Sequence, residues 1–480
     1  MGAETASLTA MLESADSDAP AISDGSRTIR YGELRRRLDR LCAGLAGVSG
    51  SDGGAFAIVS GNPIRHALAV WLAARCGRDV IVLDSERTDI DAILHRVAPS
   101  IIFDDQRVAD GRWRVLPAHW LEGSGDTDDP DRSGTAPAAV GSTGWLVASS
   151  GTEGPPRIAR LGGPAIRAHA RASNAETGLA HGDVWLTPIS LQHVGGVAVL
   201  SRCAAAGACA LLHEVFDPAR VVAAVMSGRV THLSLVPAML AQVLDHASGL
   251  RPPAELRCVL IGGAALNPAI AGRALGAGWP LWVAYVMTET VSHITCERID
   301  SDWEAGYVGR ALRDVRIAIE GGPDGCGLDR VGRIRIEGPV VMDGYLQPGA
   351  SVADAGGVFV TGDLGCLDGD GRLRVLGRAD DVLISGGVKV HPANVERMLS
   401  TCPGVADVGV TAVSDARWGD VLIAVFSGDV DEAGMEKWCR VHVESSKRPR
   451  RFRRVDAVPR NAGGKLDRRA LARIVRDGTL

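Results

Sequence analysis

Short apolar segments alternate with amphipathic segments along the first quarter of the chain, and this alternation constrains the fold more than any other feature. The spacing of apolar residues predicts helices over residues 31–45 and 66–76. The apolar runs at 54–59 and 79–83 predict buried strands. Because strands separated by helices of this length pair side by side in parallel, the sequence predicts an α/β fold.

The chain has 480 residues, more than one hydrophobic core usually organises, so at least two domains are expected. Asp380 and Asp381 interrupt a strand pattern, and the composition changes after them. We therefore place an N-terminal domain at 1–379 and a small α+β C-terminal domain at 380–480. The sequence Asp-Gly-Asp-Gly at 368–371, between two apolar segments, predicts a tight hairpin just before this boundary.

Composition excludes several classes of protein. The formal net charge of −5 argues against nucleic acid as the main partner. The N-terminus lacks the basic and apolar regions of a signal peptide, and Arg202 interrupts the apolar stretch at 194–212, so we expect no membrane span and a cytoplasmic location. The ten cysteines show no C-x-x-C spacing and are interpreted as reduced thiols rather than as disulfides or zinc ligands.

Lysine is rare: only four of the 52 lysine and arginine residues are lysines. A lysine kept in so arginine-rich a chain favours a role that needs a compact, flexible ammonium group. Lys465 follows two glycines, which would let a loop carry its ammonium into a cleft.

Hydroxyl residues and glycines follow the predicted strand at 145–148. Ser149, Ser150, Gly151 and Thr152 offer the O–H and N–H donors that a polyphosphate needs. Arg157, at the end of the same loop, adds a positive charge that can meet a phosphate. A plain polar turn between strands is the alternative at this point.

Several motifs together resemble one family. The segment SSGTEGPPR at 149–157 resembles the phosphate-binding signature of the adenylate-forming superfamily, which includes acyl-CoA synthetases, luciferases and peptide-synthetase adenylation domains. The segments at 285–290, 361–390 and 459–468 resemble further motifs of that family at the expected mutual spacing. The resemblance implies a large N-terminal domain with two βαβ-type sheets and a small β-barrel, followed by a small mobile α+β domain.

The resemblance also implies a role for each matching residue. Tyr285 would stack on adenine, and Asp363 and Arg378 would bind the ribose. Thr288 would touch the α-phosphate, Glu289 would hold Mg²⁺, and Lys465 would act as the catalytic lysine. The full set expected to bind ATP or AMP is Ser149, Ser150, Gly151, Thr152, Gly263, Ala264, Tyr285, Asp363 and Arg378.

The acid-binding residues implied are His193, Arg202 and Val286. Within the family, segments such as HVGGVAVLSR are most similar to the o-succinylbenzoate-CoA ligases, in which an arginine at the position of Arg202 meets the second carboxylate of the substrate. From the residues alone, Arg202 either pairs with an internal carboxylate or is kept for that of a substrate. Glu153 and Val286 depart from the family pattern, and the larger side chain of Val286 is expected to reshape the acid pocket.

The remaining implied residues concern the second half-reaction. Asp380 would be the hinge between domains, and Ser385, Gly386 and Gly387 would line the tunnel for coenzyme A. The basic run at 447–454 is either a solvated face or a landing site for the phosphates of coenzyme A.

The expected function is an acid–thiol ligase that uses ATP, Mg²⁺ and coenzyme A to convert an aromatic or bulky cyclic carboxylic acid through an acyl-adenylate into a thioester. One alternative is an enzyme that passes the acyl group to the phosphopantetheine of a carrier protein or performs one half-reaction. Another is a non-catalytic nucleotide-binding relative. Assembly is left open, with a homodimer as one candidate.

Overall fold

The computed structural model describes residues 8–46, 54–107, 113–123, 143–148, 156–321, 330–347, 352, 355–385, 388–415, 419–445, 447–460 and 466–477. Several predicted site residues therefore lie outside the described residues: Ser149, Ser150, Gly151, Thr152, Gly386, Gly387 and Lys465. Among the helices within the described ranges, none is both long and apolar enough to cross a membrane.

The first part of the chain alternates strands and helices as expected. Its elements are α1 Ala10–Glu13, β1 Pro20–Ser23, β2 Thr28–Arg30, α2 Tyr31–Ala46, β3 Phe56–Val59, α3 Pro63–Arg75, β4 Val80–Leu83, α4 Ile90–Val97, β5 Ile101–Asp104, β6 Arg114–Leu116 and a 3₁₀ helix at Ala118–Glu122. Elements α2, β3, α3 and β4 confirm the four segments that the apolar pattern predicts, with ends shifted by no more than three residues.

The alternation continues to residue 298. The elements are β7 Gly144–Ala148, β8 Ile158–Gly162, α5 Gly163–Thr177, β9 Val184–Thr187, α6 Val194–Ala206, β10 Cys209–Leu212, α7 Pro218–Met226, β11 His232–Leu235, α8 Pro237–Ala247, β12 Cys258–Ile261, α9 Pro268–Gly276, β13 Leu281–Met287, a 3₁₀ helix at Thr288–Thr290 and β14 Ser292–Arg298.

Proline marks where several of these helices begin. Helices α3, α7, α8 and α9 each have proline at the first helical position, where the missing N–H has no partner in the helix. The side chain of Asn62 accepts hydrogen bonds from the N–H groups of Ile64 and Arg65, and Asp217 caps α7 in the same way. These local signals fix the position at which each helix begins after the preceding strand.

Two large sheets make up the N-terminal part. One has nine strands in the order β15-β14-β13-β12-β11-β9-β10-β1-β2, in which β15 is Arg310–Ala311 and the pairing is parallel from β13 through β1. The other has seven, in the order β18-β8-β7-β4-β3-β5-β6, in which β18 is Gly344–Tyr345. The largest hydrophobic core contains residues of both sheets together with residues of α2, α3, α5 and α6, so these helices pack between the sheets. The α/β fold is confirmed.

A smaller antiparallel sheet follows. Its part of the chain contains β15 Arg310–Ala311, β16 Arg316–Glu320, β17 Gly332–Glu337, β18 Gly344–Tyr345, β19 Val358–Leu367, β20 Leu373–Arg378 and a 3₁₀ helix at Ala379–Asp381. The part expected to be a small β-barrel forms a four-stranded sheet in the order β16-β17-β19-β20. The predicted hairpin at 368–371 joins β19 to β20, and the Asp368 carboxylate accepts hydrogen bonds from the N–H groups of Asp370 and Arg372.

The last hundred residues have their own core. They form β21 Leu383–Ser385, β22 Val388–Val390, α10 Pro392–Leu399, β23 Val405–Asp415, β24 Gly419–Gly428, α11 Glu432–His442, β25 Arg451–Arg454 and α12 Arg468–Asp477. Helices α10 and α11 pack on one face of the β21–β25 sheet and α12 on the other. The side chain of Arg397 crosses to the N-terminal part and donates to the carbonyl of Ala305. The boundary between 379 and 380 stays a prediction.

Candidate active site

Most of the described candidate residues lie at one edge of the nine-stranded sheet. Gly263 and Ala264 follow β12, while Tyr285 and Val286 end β13 and lead into the 3₁₀ helix that carries Thr288 and Glu289. Strands β12 and β13 are parallel neighbours, so their carboxyl ends meet at the same edge of the sheet. Ligands of open α/β sheets bind at this edge, which makes it the candidate active site.

The turn between β13 and β14 is strained. Val291 has φ +63° and is fully buried, although a β-branched residue rarely adopts the left-handed region. The register between β13 and β14 also shifts between Tyr285 and Val286. Strain of this kind persists only where the surrounding packing holds it, and here it fixes the directions in which Glu289 and Ser292 leave the turn. Nothing in the sequence pattern signals it.

Tyr285, Asp363 and Arg378 meet across two sheets. The phenol of Tyr285 donates a short hydrogen bond to Oδ2 of Asp363. Asp363 pairs in register with Arg378, whose Nη1 lies 3.6 Å from Asp363 Oδ1. A Cβ on Gly362 would lie only 2.7 Å from Arg378 Nη2, so the missing side chain of this glycine makes room for the guanidinium. The structure thus brings together the residues predicted for adenine and ribose.

The Tyr285 phenol stays a hydrogen-bond donor at every ordinary pH. Burial, together with the charge of Asp363, raises its pKa well above the usual value of 10.

We expect Tyr285→Phe to raise the KM for ATP about fivefold, equivalent to about 1 kcal/mol, because Asp363 loses a partner that orients it. Steady-state kinetics with varied ATP measures this. Tyr31→Phe is the control, since that phenol donates to the Cys203 and Ala208 carbonyls instead, and an equal rise there would contradict the prediction.

Glu289 has partners that the sequence pattern did not indicate. The phenol of Tyr345 donates to Glu289 Oε1 at 2.5 Å, and the guanidinium of Arg157 lies 3.9 Å from the centre of the Tyr345 ring. Burial raises the pKa of Tyr345, so it remains a donor to the carboxylate. Tyr345 therefore links the end of the predicted phosphate loop to the predicted magnesium ligand.

Glu289 supplies a single carboxylate, which is typical of the way proteins hold Mg²⁺ at a bound nucleotide. Proteins commonly bind this ion through one or two carboxylates together with substrate phosphates. In the described ranges, no three histidine, cysteine, aspartate or glutamate side chains cluster as a metal site would need on its own. The geometry around Glu289 fits an ion that shares its coordination with ATP.

Val286 occupies space beside the first glycine of the turn after β12. A Cβ built on Gly262 would lie 2.4 Å from Cγ2 of Val286, so valine packs directly on this backbone. Gly263 has φ +81°, a conformation in which a side chain would be strained. Val286 therefore fills the space directly beside the turn that leads to Gly263 and Ala264, and its effect on the acid pocket stays a prediction.

The predicted acid-binding residues His193 and Arg202 lie on one helix, His193 at its start and Arg202 within its second half. His193 is the N-cap of α6, and Arg202 is nine positions later, so their backbones are separated by about 13 Å along the axis. The helix starts close to its preceding loop, since a Cβ on Gly196 would lie 2.4 Å from the Ser190 carbonyl oxygen. The two residues therefore mark separate regions rather than a single carboxylate clamp.

Arg202 is fully buried, and no counter-charge for it lies among the described residues. Its Nη2 donates to Ser292 Oγ at 2.9 Å, its guanidinium lies 4.9 Å from the Trp185 ring, and Nε and Nη1 have no hydrogen-bond partner in the described part of the chain. No described aspartate or glutamate pairs with it. Burial lowers the pKa of the guanidinium to about 10, which still leaves it charged at neutral pH. Of the two alternatives for Arg202, the internal carboxylate has no candidate among the described residues.

Two histidines that sequence reasoning missed lie beside Arg202. His169 and His293 are fully buried, and their ring centres are 5.0 Å apart. Burial lowers the pKa of both well below 6.5, and the charge of Arg202 adds to the effect, so both rings are neutral. Ser173 Oγ and His293 Nε2 have no hydrogen-bond partner in the described ranges. The described residues around Arg202 are thus polar, but none of them brings a negative charge to the guanidinium.

The predicted hinge lies in the 3₁₀ helix at Ala379–Asp381. The side chain of Asp380 makes no hydrogen bond or ion pair with another described residue, whereas that of its neighbour Asp381 accepts from Arg468 Nε at 2.7 Å. Arg468 also bonds Glu396 at 2.9 Å, and Ser385 lies in β21 next to the hinge. The start of α12, just after Lys465, is therefore tied to the chain next to the hinge.

The comparison with known families gives an extended match. The sequence profile of AMP-binding enzymes matches residues 12–346. The chain belongs to the AMP-binding enzyme family. The profile of the C-terminal domain of AMP-binding enzymes matches residues 394–465 of this AMP-binding enzyme as well, a stretch that includes most of the predicted C-terminal domain.

Relatives with assigned names match along almost the full length of this AMP-binding enzyme. The 2-succinylbenzoate–CoA ligase of Geobacillus kaustophilus is 31% identical over 95% of each chain, and that of Bacillus pumilus is 30% identical over 92% of each. Among solved structures, o-succinylbenzoate CoA synthetase from Bacillus subtilis with its acyl-adenylate intermediate is 27% identical, with TM-score 0.82 over 97% of each chain. ATP-bound MatB from Rhodopseudomonas palustris, at 22% identity and TM-score 0.86 over 98% of each chain, supports the fold.

Proposed function

We propose that this AMP-binding enzyme joins a carboxylic acid to coenzyme A in two steps, with ATP cleaved to AMP and pyrophosphate. The observation that carries the proposal is the convergence of Tyr285, Asp363 and Glu289 at the carboxyl edge of the nine-stranded sheet. A nucleotide bound there would contact the ring of Tyr285, a hydrogen-bond acceptor for its ribose in Asp363 and a ligand for its Mg²⁺ in Glu289. The names of the relatives, 2-succinylbenzoate–CoA ligases, support the same activity.

The acid proposed is an aromatic dicarboxylic acid similar to o-succinylbenzoate. A fully buried guanidinium costs several kcal/mol of stability unless an anion compensates it. Arg202 has no such anion among the described residues, so the second carboxylate of the substrate would supply the missing charge. Since His169 and His293 are neutral, they add no second positive charge that would require another anion.

The first step forms the acyl-adenylate. An oxygen of the acid carboxylate attacks the α-phosphorus of ATP, and the bond from this phosphorus to the pyrophosphate oxygen breaks. Glu289 would hold Mg²⁺, which neutralises phosphate charge when bound. The chain itself contributes position and charge: Asp363 fixes the ribose, Thr288 contacts the α-phosphate, and Lys465 stabilises the negative charge that develops between the carboxylate and the α-phosphate.

The second step transfers the acyl group to sulfur. The thiol of coenzyme A attacks the carbonyl carbon and AMP leaves. We assign the domain boundary to 379/380 and the hinge to Asp380. The tunnel for the thiol is assigned to Ser385, Gly386 and Gly387. Rotation of the C-terminal domain about the hinge would then move Lys465 away from the acyl-adenylate and bring the tunnel residues to it. The exposed edge strand β25 carries Arg451 and Arg453 at the surface, which supports contact with the phosphates of coenzyme A.

The proposal also covers the location of the enzyme and its assembly. We assign the enzyme to the cytoplasm, where ATP and coenzyme A are available. We retain a homodimer as the candidate assembly, to be tested by light scattering of the purified protein.

The test is acid-dependent exchange of pyrophosphate into ATP over a panel of aromatic dicarboxylic, aromatic monocarboxylic, polycyclic and fatty acids. We expect the fastest exchange with an aromatic dicarboxylic acid, and a CoA thioester once coenzyme A is added. Exchange with none of the acids would instead favour a nucleotide-binding relative. Exchange without formation of a CoA thioester would favour a carrier protein as acceptor.

A further inference from the structure

Two thiols from neighbouring helices touch each other on the N-terminal part of the chain. Cys42 lies in α2, and Cys76 is the C-cap residue that directly follows α3. Their Sγ atoms are 2.8 Å apart, with Cys76 donating its S–H to Cys42. Cys42 is buried at 7% exposure and Cys76 is partly exposed, whereas the other seven cysteines of the described ranges are buried. Nothing in the adenylation chemistry uses this pair.

The two helices are held in register next to these thiols. Arg75, the last residue of α3, donates to Asp39 of α2 at 2.7 Å and to Glu13 of α1 at 2.8 Å. Arg75 and Arg78 also place positive charge near both sulfur atoms. The ion pairs therefore keep the thiols facing each other, and the arginines favour a thiolate over a thiol.

The hydrogen bond between the thiols makes them unequal. By accepting it, Cys42 has its pKa lowered, whereas burial and the same hydrogen bond raise the pKa of Cys76. Cys42 is therefore the thiol that ionises first. A thiolate is the form that reacts with peroxides and disulfides.

We propose that Cys42 and Cys76 form a reversible intramolecular disulfide when the protein meets a hydroperoxide. The Cys42 thiolate attacks one oxygen of hydrogen peroxide, the O–O bond breaks, and the products are a sulfenic acid on Cys42 and, after one proton is taken up, water. Cys76 Sγ then attacks Cys42 Sγ, the S–O bond breaks, and a second water leaves with the proton of Cys76. The two sulfurs lose two electrons in total, and the peroxide gains them.

The expected consequence is a covalent link between α2 and α3. It closes a loop between residues 42 and 76, and closing a loop of this length reduces the freedom of the unfolded chain. We expect the oxidised protein to melt about 5 °C higher than the reduced protein. Neither cysteine is among the residues assigned to ATP, acid or coenzyme A, so the proposal stands independently of the proposed function.

The experiment treats the full chain with a small molar excess of hydrogen peroxide, blocks the remaining thiols with an alkylating reagent, and maps peptides by mass spectrometry without reduction. In the native sequence we expect the peptides of Cys42 and Cys76 to be joined, and dithiothreitol to separate them and reverse the rise in melting temperature. In Cys76→Ser we expect a dimedone adduct on Cys42, because the sulfenic acid can no longer be resolved. The Cys209→Ala control removes a buried thiol and should leave the cross-link unchanged.

Two results would overturn the proposal. One is complete alkylation of both cysteines after peroxide treatment. The other is oxidation of Cys42 to the sulfinic acid, or a dimedone adduct on it, in the native sequence while Cys76 remains a free thiol. Both results are read on the native sequence, and circular dichroism of Cys76→Ser before treatment checks that its dimedone labelling reports a folded variant.

Discussion

Replacing Lys465 by alanine is expected to lower the rate of acyl-adenylate formation about 10²-fold or more, the effect of losing one preorganised charge at the reacting phosphate. The base of the loop that carries Lys465 is well anchored. Arg460 and Leu466 pair as a β-bridge across it, and Arg460 also forms an ion pair with Asp407 at 2.7 Å. On the other side, Arg468 bonds Asp381 and Glu396. The described residues on both sides of Lys465 are therefore held in place by these contacts.

Measuring the two half-reactions separately makes this prediction specific. Pyrophosphate exchange should fall in Lys465→Ala, while the reaction of a supplied acyl-adenylate with coenzyme A should change little. Lys437→Ala is the matched control, because it removes the same charge from an exposed position of α11, outside the basic run at 447–454. Equal losses in both variants, or in both half-reactions of Lys465→Ala, would contradict the assigned role.

Replacing Arg202 by methionine is expected to lower kcat/KM for an aromatic dicarboxylic acid about 10²-fold while leaving the free energy of unfolding unchanged or increased. The activity falls because the second carboxylate loses its only proposed counter-charge, and one buried charge pair is worth about this factor. The stability holds because a buried guanidinium without a carboxylate partner costs desolvation energy that methionine of similar length does not. Kinetics and denaturant unfolding of the same preparation measure both effects.

Arg160→Met supplies the contrasting control. Arg160 is also mostly buried, but it pairs with Asp79 at 2.7 Å and with Asp343, so its loss leaves two carboxylates uncompensated. We expect that variant to lose about 3 kcal/mol of stability. A similar loss in Arg202→Met would show that Arg202 has a structural role. An unchanged preference of Arg202→Met for dicarboxylic over monocarboxylic acids would remove it from the acid pocket.

Much of the fold could be predicted from local patterns. The first strands and helices, the hairpin at 368–371 and the helix that starts at Pro237 all depend on apolar period, turn residues or proline, which act over a few neighbouring positions. Such elements can be predicted from the sequence because the residues that determine them are neighbours along the chain.

Partnerships across the chain could not be predicted in the same way. The contact of Tyr345 with Glu289 joins residues 56 positions apart, and that of Tyr285 with Asp363 joins residues 78 apart. The family resemblance assigned roles in the site to Tyr285, Asp363 and Glu289 but gave none to Tyr345. The contact of Tyr285 with Asp363 depends on how the small antiparallel sheet packs on the edge of the nine-stranded sheet. The contact of Tyr345 with Glu289 depends on how β18 of the seven-stranded sheet lies against that same edge, and no short window of sequence records either arrangement.

Arg202 shows where the two kinds of information divide. Its sequence surroundings of valine, leucine, alanine and cysteine already indicated a costly charge in an apolar segment, which is a local property. Whether an internal carboxylate compensates that charge depends on which side chains other strands and helices bring near it. Folding places Ser292, His293 and Trp185 there and no described carboxylate. Local pattern thus identifies elements and unusual residues, while charge balance at the site is a property of the assembled sheets, since electrostatic and hydrogen-bond partners are chosen by distance in space.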